Sequence, residues 1–191
     1  THGCSFLEAC EVVGINKMIS YGNRADVDEA DMIAYLAPDP HTAVIAAYAE
    51  GLGDGRKFVQ TARRMIEALK KPIVIYKSGR TTRAAMAAQS HTGAYGGTYA
   101  VYRGAFKQSG ILAVDSFEAL FAASKALSMQ PPAAGPKISM IGNGAGPMVN
   151  AIDLFDPYAL EIAVLEPESV KAMEAHFPAF YISKNPVDVT G

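Results

Sequence analysis

A single histidine, His91, stands among small and hydroxylated residues, with Ser90 before it and Thr92 and Gly93 after it. The stretch that carries it opens on Ser78, Gly79 and Arg80 and closes on Gly96 and Gly97. Backbone N–H groups bared by glycine, hydroxyls and guanidinium groups are what proteins use to bind phosphate. An unprotonated imidazole nitrogen is nucleophilic at neutral pH, and a carboxylate partner fixes its tautomer and aims the other nitrogen. Glu50, followed by Gly51, offers such a carboxylate. The chemistry these types could do is attack on phosphorus, with His91 carrying a phosphoryl group. A hydrogen-bonded loop histidine is the plain alternative, and the residues alone leave both open. A second candidate anion site is Asn143-Gly144-Ala145-Gly146, where a strand is expected to turn into a helix N-terminus. Tight turns also demand glycine, so this signal is weak by itself.

Other chemistries lack their signatures. There is no Gly-x-Ser-x-Gly nucleophile elbow and no Gly-x-x-x-x-Gly-Lys-[Ser/Thr] phosphate loop. His2, His41 and His176 have no partner at zinc-ligand spacing, so no metal site is expected. The acidic run Asp26 to Asp31 lacks the central glycine and closing glutamate of a calcium loop and reads as a helix start. A formal charge of −2 gives no footprint for nucleic acid. No apolar run approaches the ~18 residues of a membrane span, and no signal peptide is visible. Two cysteines, Cys4 and Cys10, form neither a metal pattern nor a disulfide framework, which points to a reducing cytoplasm. The chain opens on Thr1 and stops on Asp-Val-Thr-Gly191, as an excerpt of a longer polypeptide would.

The elements that must position these residues alternate. Helical periodicity is expected over 5–13, 56–70, 98–108 and 116–128, with apolar Phe58, Val59, Ala62, Met65, Ile66 and Leu69 on one face of the second. Strands are expected at Lys17–Tyr21, Ala43–Tyr48, Ile73–Tyr76 and Ile111–Val114. Such alternation implies parallel βαβ units, with ligands at the carboxyl ends of the strands. Glu50 and Ser78 both fall there. Pro131 to Pro136 reads as a linker. Beyond it, one strand over Lys137–Ile141, a Gly-rich turn over Gly142–Met148 that opens a helix to about Phe155, a strand at Glu161–Leu165, a helix over Pro167–His176 and an extended tail from Asn185 are expected. The fold class is α/β: a doubly wound parallel sheet over 1–130, a linker over 131–136, and a partial α/β segment over 137–191.

Ser78-Gly-Arg-Thr and Ser90-His-Thr-Gly-Ala94 closely resemble the phosphohistidine segment of the NDP-forming acyl-CoA synthetases, the superfamily of succinyl-CoA synthetase. The similarity extends through Gly22-Asn-Arg-Ala-Asp-Val-Asp28, Glu50-Gly51, Asp54-Gly-Arg56, Asp115-Ser116, Asn143-Gly-Ala-Gly-Pro147 and Asn185-Pro-Val-Asp-Val-Thr-Gly191. The resemblance implies two flavodoxin-like parts: 1–130 like the carboxyl domain of the synthetase α subunit, and 137–191 like part of that of the β subunit. It implies that His91 is phosphorylated and that Glu50 contacts it. Ser78, Gly79, Arg80, Ser90, Thr92, Gly93 and Asn143 to Gly146 would bind phosphate. The implied reaction is acyl-CoA + NDP + phosphate ⇌ carboxylic acid + NTP + CoA, through an acyl phosphate and a phosphohistidine. No tightly bound cofactor is implied; CoA, ATP or ADP and Mg²⁺ would serve the full-length enzyme. The family's Ser-Gln-Ser-Gly loop, CoA-binding domain and nucleotide-grasp domain are not within this sequence. They would lie elsewhere on the chain or on partner subunits of an oligomer, and the isolated piece would not complete the reaction. Two other readings are a non-reactive synthetase-like regulatory region of a protein acyltransferase, and a flavin or dinucleotide module using the Gly142–Gly146 turn. The first would be expected to lose His91, and the second leaves Ser78–Gly97 unexplained.

Overall fold

A run of Ile73, Val74 and Ile75, each at 2% exposure or less, can only be the middle of a parallel sheet covered on both faces. The computed structural model describes residues 14–84, 86 and 98–189 and divides the chain into two units, Thr1–Pro131 and Pro132–Gly191. The expected helix over 5–13, both cysteines, and Ser90, His91, Thr92 and Gly93 lie outside the described residues.

In the first unit the element order is α1 (Glu29–Leu36), β1 (Ile45–Ala49), α2 (Gly55–Leu69), β2 (Ile73–Lys77), α3 (Tyr99–Ser109), β3 (Leu112–Val114) and α4 (Phe117–Met129). The sheet order is β1-β2-β3, all parallel, with Ala49 opposite Lys77 and Tyr76 opposite Val114. One face is closed by α1, α2 and α3 around Ile33, Phe58, Ala62, Ile75 and Phe106. Phe58 and Phe106 meet edge to face at 6.1 Å. On the other face Tyr48 and Tyr76 pack on Phe117 of α4. Helices on both faces of a parallel sheet are the flavodoxin-like arrangement the sequence implies.

The helix starts explain the acidic runs. Asp28 accepts the Asp31 amide at 3.0 Å while Asp31 accepts the Asp28 amide at 3.1 Å, a reciprocal capping box. Lys57 of α2 then bridges both carboxylates. Asp54 caps α2 through the Arg56 and Lys57 amides. Two expectations need correction. No strand forms over Lys17–Tyr21: Met18 and Ile19 are exposed, and Asn16 and Lys17 instead tie this segment to Asp39. Leu69, expected on the buried face of α2, is exposed because it ends the helix beside Lys70, which turns to φ 53°.

In the second unit β4 (Lys137–Ile138), β5 (Ile141–Gly142), α5 (Ala145–Ile152), a 3-10 turn (Asp156–Tyr158), β6 (Glu161–Ile162), α6 (Pro167–Glu174) and β7 (Val187–Asp188) follow one another. The single strand expected over Lys137–Ile141 is two strands with different partners, β4 with β6 and β5 with β7. The cause is Asn185. Its amide donates to the Ile138 and Ala163 carbonyls and accepts the Met140 N–H at 3.0 Å, replacing ladder bonds where the strands part. The same bonds end β6 at Ile162, short of the expected Leu165, and Val187–Asp188 of the expected extended tail form β7. The helix expected to reach Phe155 stops at Ile152, with Pro157 in the 3-10 turn that follows.

Asn185→Ala removes the partner of the Ala163 carbonyl and of the Met140 amide, while the Ile138 carbonyl keeps the Ala163 N–H, and is expected to cost about 1–3 kcal/mol. Hydrogen exchange should show the Met140 amide losing protection, with the β1–β2 amides as the unchanged internal reference.

Candidate functional site

The pairing of β1 with β2 closes on a bond from the Ser78 amide, one residue past β2, to the carbonyl of Ala49, which ends β1, at 3.0 Å. That bond sets Glu50, the residue after β1, beside the start of the Ser-Gly-Arg motif. Glu50 is half-buried and accepts the Tyr48 hydroxyl at 3.4 Å. The loop behind it is fixed from α1. Arg24 donates to the Gly51 carbonyl at 2.8 Å and to buried Glu29 at 2.9 Å, and Glu29 accepts the Gly53 amide at 3.3 Å. Arg24 sits at φ 61°, so this clamp costs some backbone strain. Tyr21 is held beside it, its hydroxyl pushed well above the ordinary range by burial and by Glu29.

At the end of β2, Gly79 takes φ 68°, which lets the chain turn sharply off the strand. Arg80 pairs with Asp115 at 2.5 Å, donates to the Asp115 carbonyl at 2.8 Å and stacks on the Tyr99 ring at 4.7 Å. The Asp115-Ser116 turn thus serves twice, since Ser116 caps α4 through the Ala119 amide. Sequence reasoning missed Lys77. It is 3% exposed at the carboxyl end of the middle strand, donates to the Ser78 carbonyl, and lies 4.8 Å from the Tyr102 ring centre. Burial lowers its pKa from the ordinary 10.5, and the charge of Glu50 opposes the shift. A charged residue ending an otherwise apolar strand is the signal that could have found it.

In the second unit Asn143 to Gly146 join β5 to α5. Gly144 takes φ 98° and its N–H donates to the Asp188 carboxylate at 2.9 Å. Asp188 is 5% exposed on β7, directly opposite Gly142. Ala145 and Gly146 open the helix, and the Gly-rich turn does run from strand to helix N-terminus. The structure therefore brings Glu50, Ser78, Gly79 and Arg80 together at one sheet edge, and Asn143 to Gly146 together within the other unit. Among the described residues no group of three His, Cys, Asp or Glu side chains could hold a metal ion, and no helix is long and apolar enough to cross a membrane.

Comparison with known proteins places this architecture. The profile of the succinyl-CoA ligase like flavodoxin domain matches residues 4–127. The α subunit of ADP-forming acetate–CoA ligase I from Pyrococcus furiosus is 40% identical over 181 residues, covering 95% of this chain and 38% of that subunit. The ADP-forming acetate–CoA ligase I of Archaeoglobus fulgidus is 39% identical over 179 residues, 94% of this chain and 26% of that protein. A solved dinucleotide-forming acetyl-coenzyme A synthetase 1 from Ca. Korarchaeum cryptofilum, in complex with phosphate and ADP, superposes with a TM-score of 0.85 at 38% identity. That match covers 99% of this chain and 40% of the solved one. The chain thus spans well under half the length of the relatives it matches.

Gly79→Ala would force a Cβ into the left-handed region and is expected to lower stability by about 1–2 kcal/mol in a urea titration. The charge on Lys77 makes a pH-dependent claim. Between its lowered pKa and 10.5 the unfolded chain binds more protons than the folded one, so stability rises with pH across that window. Wild type should therefore gain on Lys77→Met as urea titrations are moved from neutral pH towards 10.5. A difference independent of pH would show that Lys77 is not held against its charge.

Proposed function

The chain belongs to the family of succinyl-CoA ligase-like flavodoxin domains, and from that premise we propose that it is the phosphoryl-carrying part of an ADP-forming acyl-CoA synthetase. The observation that carries the reading is the strand edge where Glu50 stands beside the Ser78-Gly-Arg80 motif, fixed by the Ala49–Ser78 bond. Inorganic phosphate would attack the acyl-CoA thioester, releasing CoA and forming an acyl phosphate. A nitrogen of His91 would then attack phosphorus, releasing the carboxylate. ADP would take the phosphoryl group from His91 to give ATP, with Mg²⁺ accompanying the nucleotide.

Each residue has a role in that scheme. Glu50 would hold the imidazole tautomer so that the other nitrogen faces phosphorus. Ser78, Gly79, Ser90, Thr92 and Gly93 would offer hydroxyls and amides to the transferred group, and Arg80 a fixed positive charge. Asn143 to Gly146 would supply a second phosphate position at the start of α5. Residues 1–130 would be the phosphohistidine domain and 137–191 part of a domain like the carboxyl domain of the synthetase β subunit, joined by 131–136. An alignment of 181 residues needs both units, which supports their occurring on one chain in the relatives. CoA-binding and nucleotide-grasp domains would complete the enzyme, on the same polypeptide or on a partner subunit, in the cytoplasm where CoA and nucleotides are found.

Incubating the full-length parent and any partner subunit with γ-labelled ATP and Mg²⁺ should yield an acid-labile, base-stable label. His91→Ala should take none. Glu50→Gln should slow labelling by roughly 10²-fold or more. A His91→Ala protein that labels like wild type would end the proposal.

A further inference from the structure

We propose that Lys77 is a positioning residue of phosphoryl transfer, its ammonium supplying a buried positive charge that awaits the phosphoryl group at the carboxyl edge of β2. The inference rests on the phosphoryl-carrier reading above and adds a residue to it. Lys77 is the last residue of the middle strand and only 3% exposed, at the edge of a parallel sheet where ligands bind. Among the described residues it makes no ion pair. Its contacts are the Ser78 carbonyl, a neutral acceptor, and the face of Tyr102. The sequence that follows, Ser78 to Gly97, contains no Asp or Glu, so the motif itself brings no carboxylate to answer the charge.

The neighbouring charges are otherwise assigned. Arg80, three residues on, is paired with Asp115. Glu50 is close enough to favour the charged lysine, but too weakly to offset burial, since the lysine's pKa still falls. A buried charge with incomplete compensation is costly, and an apolar residue of similar volume would suit a strand that otherwise reads Ile-Val-Ile-Tyr. The charge is retained against stability. A phosphoryl group arriving at this edge with roughly −1.5 to −2 charges would compensate it, so phosphorylation and the charged lysine should favour one another. The ammonium is fixed for that task. Tyr102 and Tyr99, in the first turn of α3, brace Lys77 and Arg80 respectively, so the chain leaving β2 and the helix that re-enters the fold are held by the same two cations.

The test compares wild type with Lys77→Met in the full-length parent with its partner subunit, using γ-labelled ATP and Mg²⁺ at a fixed ATP:ADP ratio alongside thermal melts. The expected result is a split: Lys77→Met melts at or above the wild-type temperature, yet its equilibrium phosphoenzyme falls about tenfold or more. A merely structural lysine would lower both together. Label equal to wild type overturns the inference, and so does a variant that loses label only with a lowered melting temperature or fails to fold. A wild type that takes no label overturns the phosphoryl-carrier reading, and this inference with it.

Discussion

The bond from the Ser78 amide to the Ala49 carbonyl is the constraint on which the candidate site depends. Parallel strands are joined through helices, so residues far apart in sequence meet only at the strand ends, and only if the register holds. Here Ala49 stands opposite Lys77, and the Ser78–Ala49 bond closes that last pair. A slip of one residue would turn Glu50 away from the motif and send Lys77 to the opposite face. Ile73, Val74 and Ile75 of β2 are buried on both faces, as the middle strand of a covered parallel sheet requires.

Polar residues within each unit are buried in two ways, and the contrast is informative. Arg24 and Glu29 neutralise one another and satisfy the Gly51 carbonyl and Gly53 amide, so the loop after Glu50 is held by a closed network. Asn185 in the second unit is likewise matched on both its oxygen and its nitrogen. Such networks rigidify what they touch because every member is answered. Lys77 is different: its charge meets a neutral carbonyl and an aromatic face. In the first unit the Arg24–Glu29 network frames the site, and the incompletely answered charge lies within it.

Much of the fold could be read from the sequence because periodicity and caps are local. The β2 run and the helices expected over 56–70, 98–108 and 116–128 are signals contained in a few residues, and the structure has all of them. What could not be read was set across distance. Lys17–Tyr21 has strand-like composition, but no neighbouring strand pairs with it among the described residues. Lys137–Ile141 looks continuous, yet Asn185, far along the chain, breaks it. The site shows the same division. Glu50 and the Ser-Gly-Arg motif are recognisable as residue types, whereas the Arg24–Glu29 clamp and the burial of Lys77 arise only when separate elements meet.

The two glycine-rich turns show why spacing alone identifies an anion site poorly. Both follow parallel strands, and both contain a glycine at positive φ: Gly79 at 68° and Gly144 at 98°. In sequence they look alike. In the structure their electrostatics are opposite. The Gly144 amide donates to the carboxylate of buried Asp188, so the protein's own anion takes one donor of that turn. Pro147, in the first turn of α5, has no amide to add to those of Ala145 and Gly146. The Gly79 turn is flanked instead by Lys77 and Arg80. A turn becomes an anion site through the charges packed around its donors, and glycine only makes the approach possible.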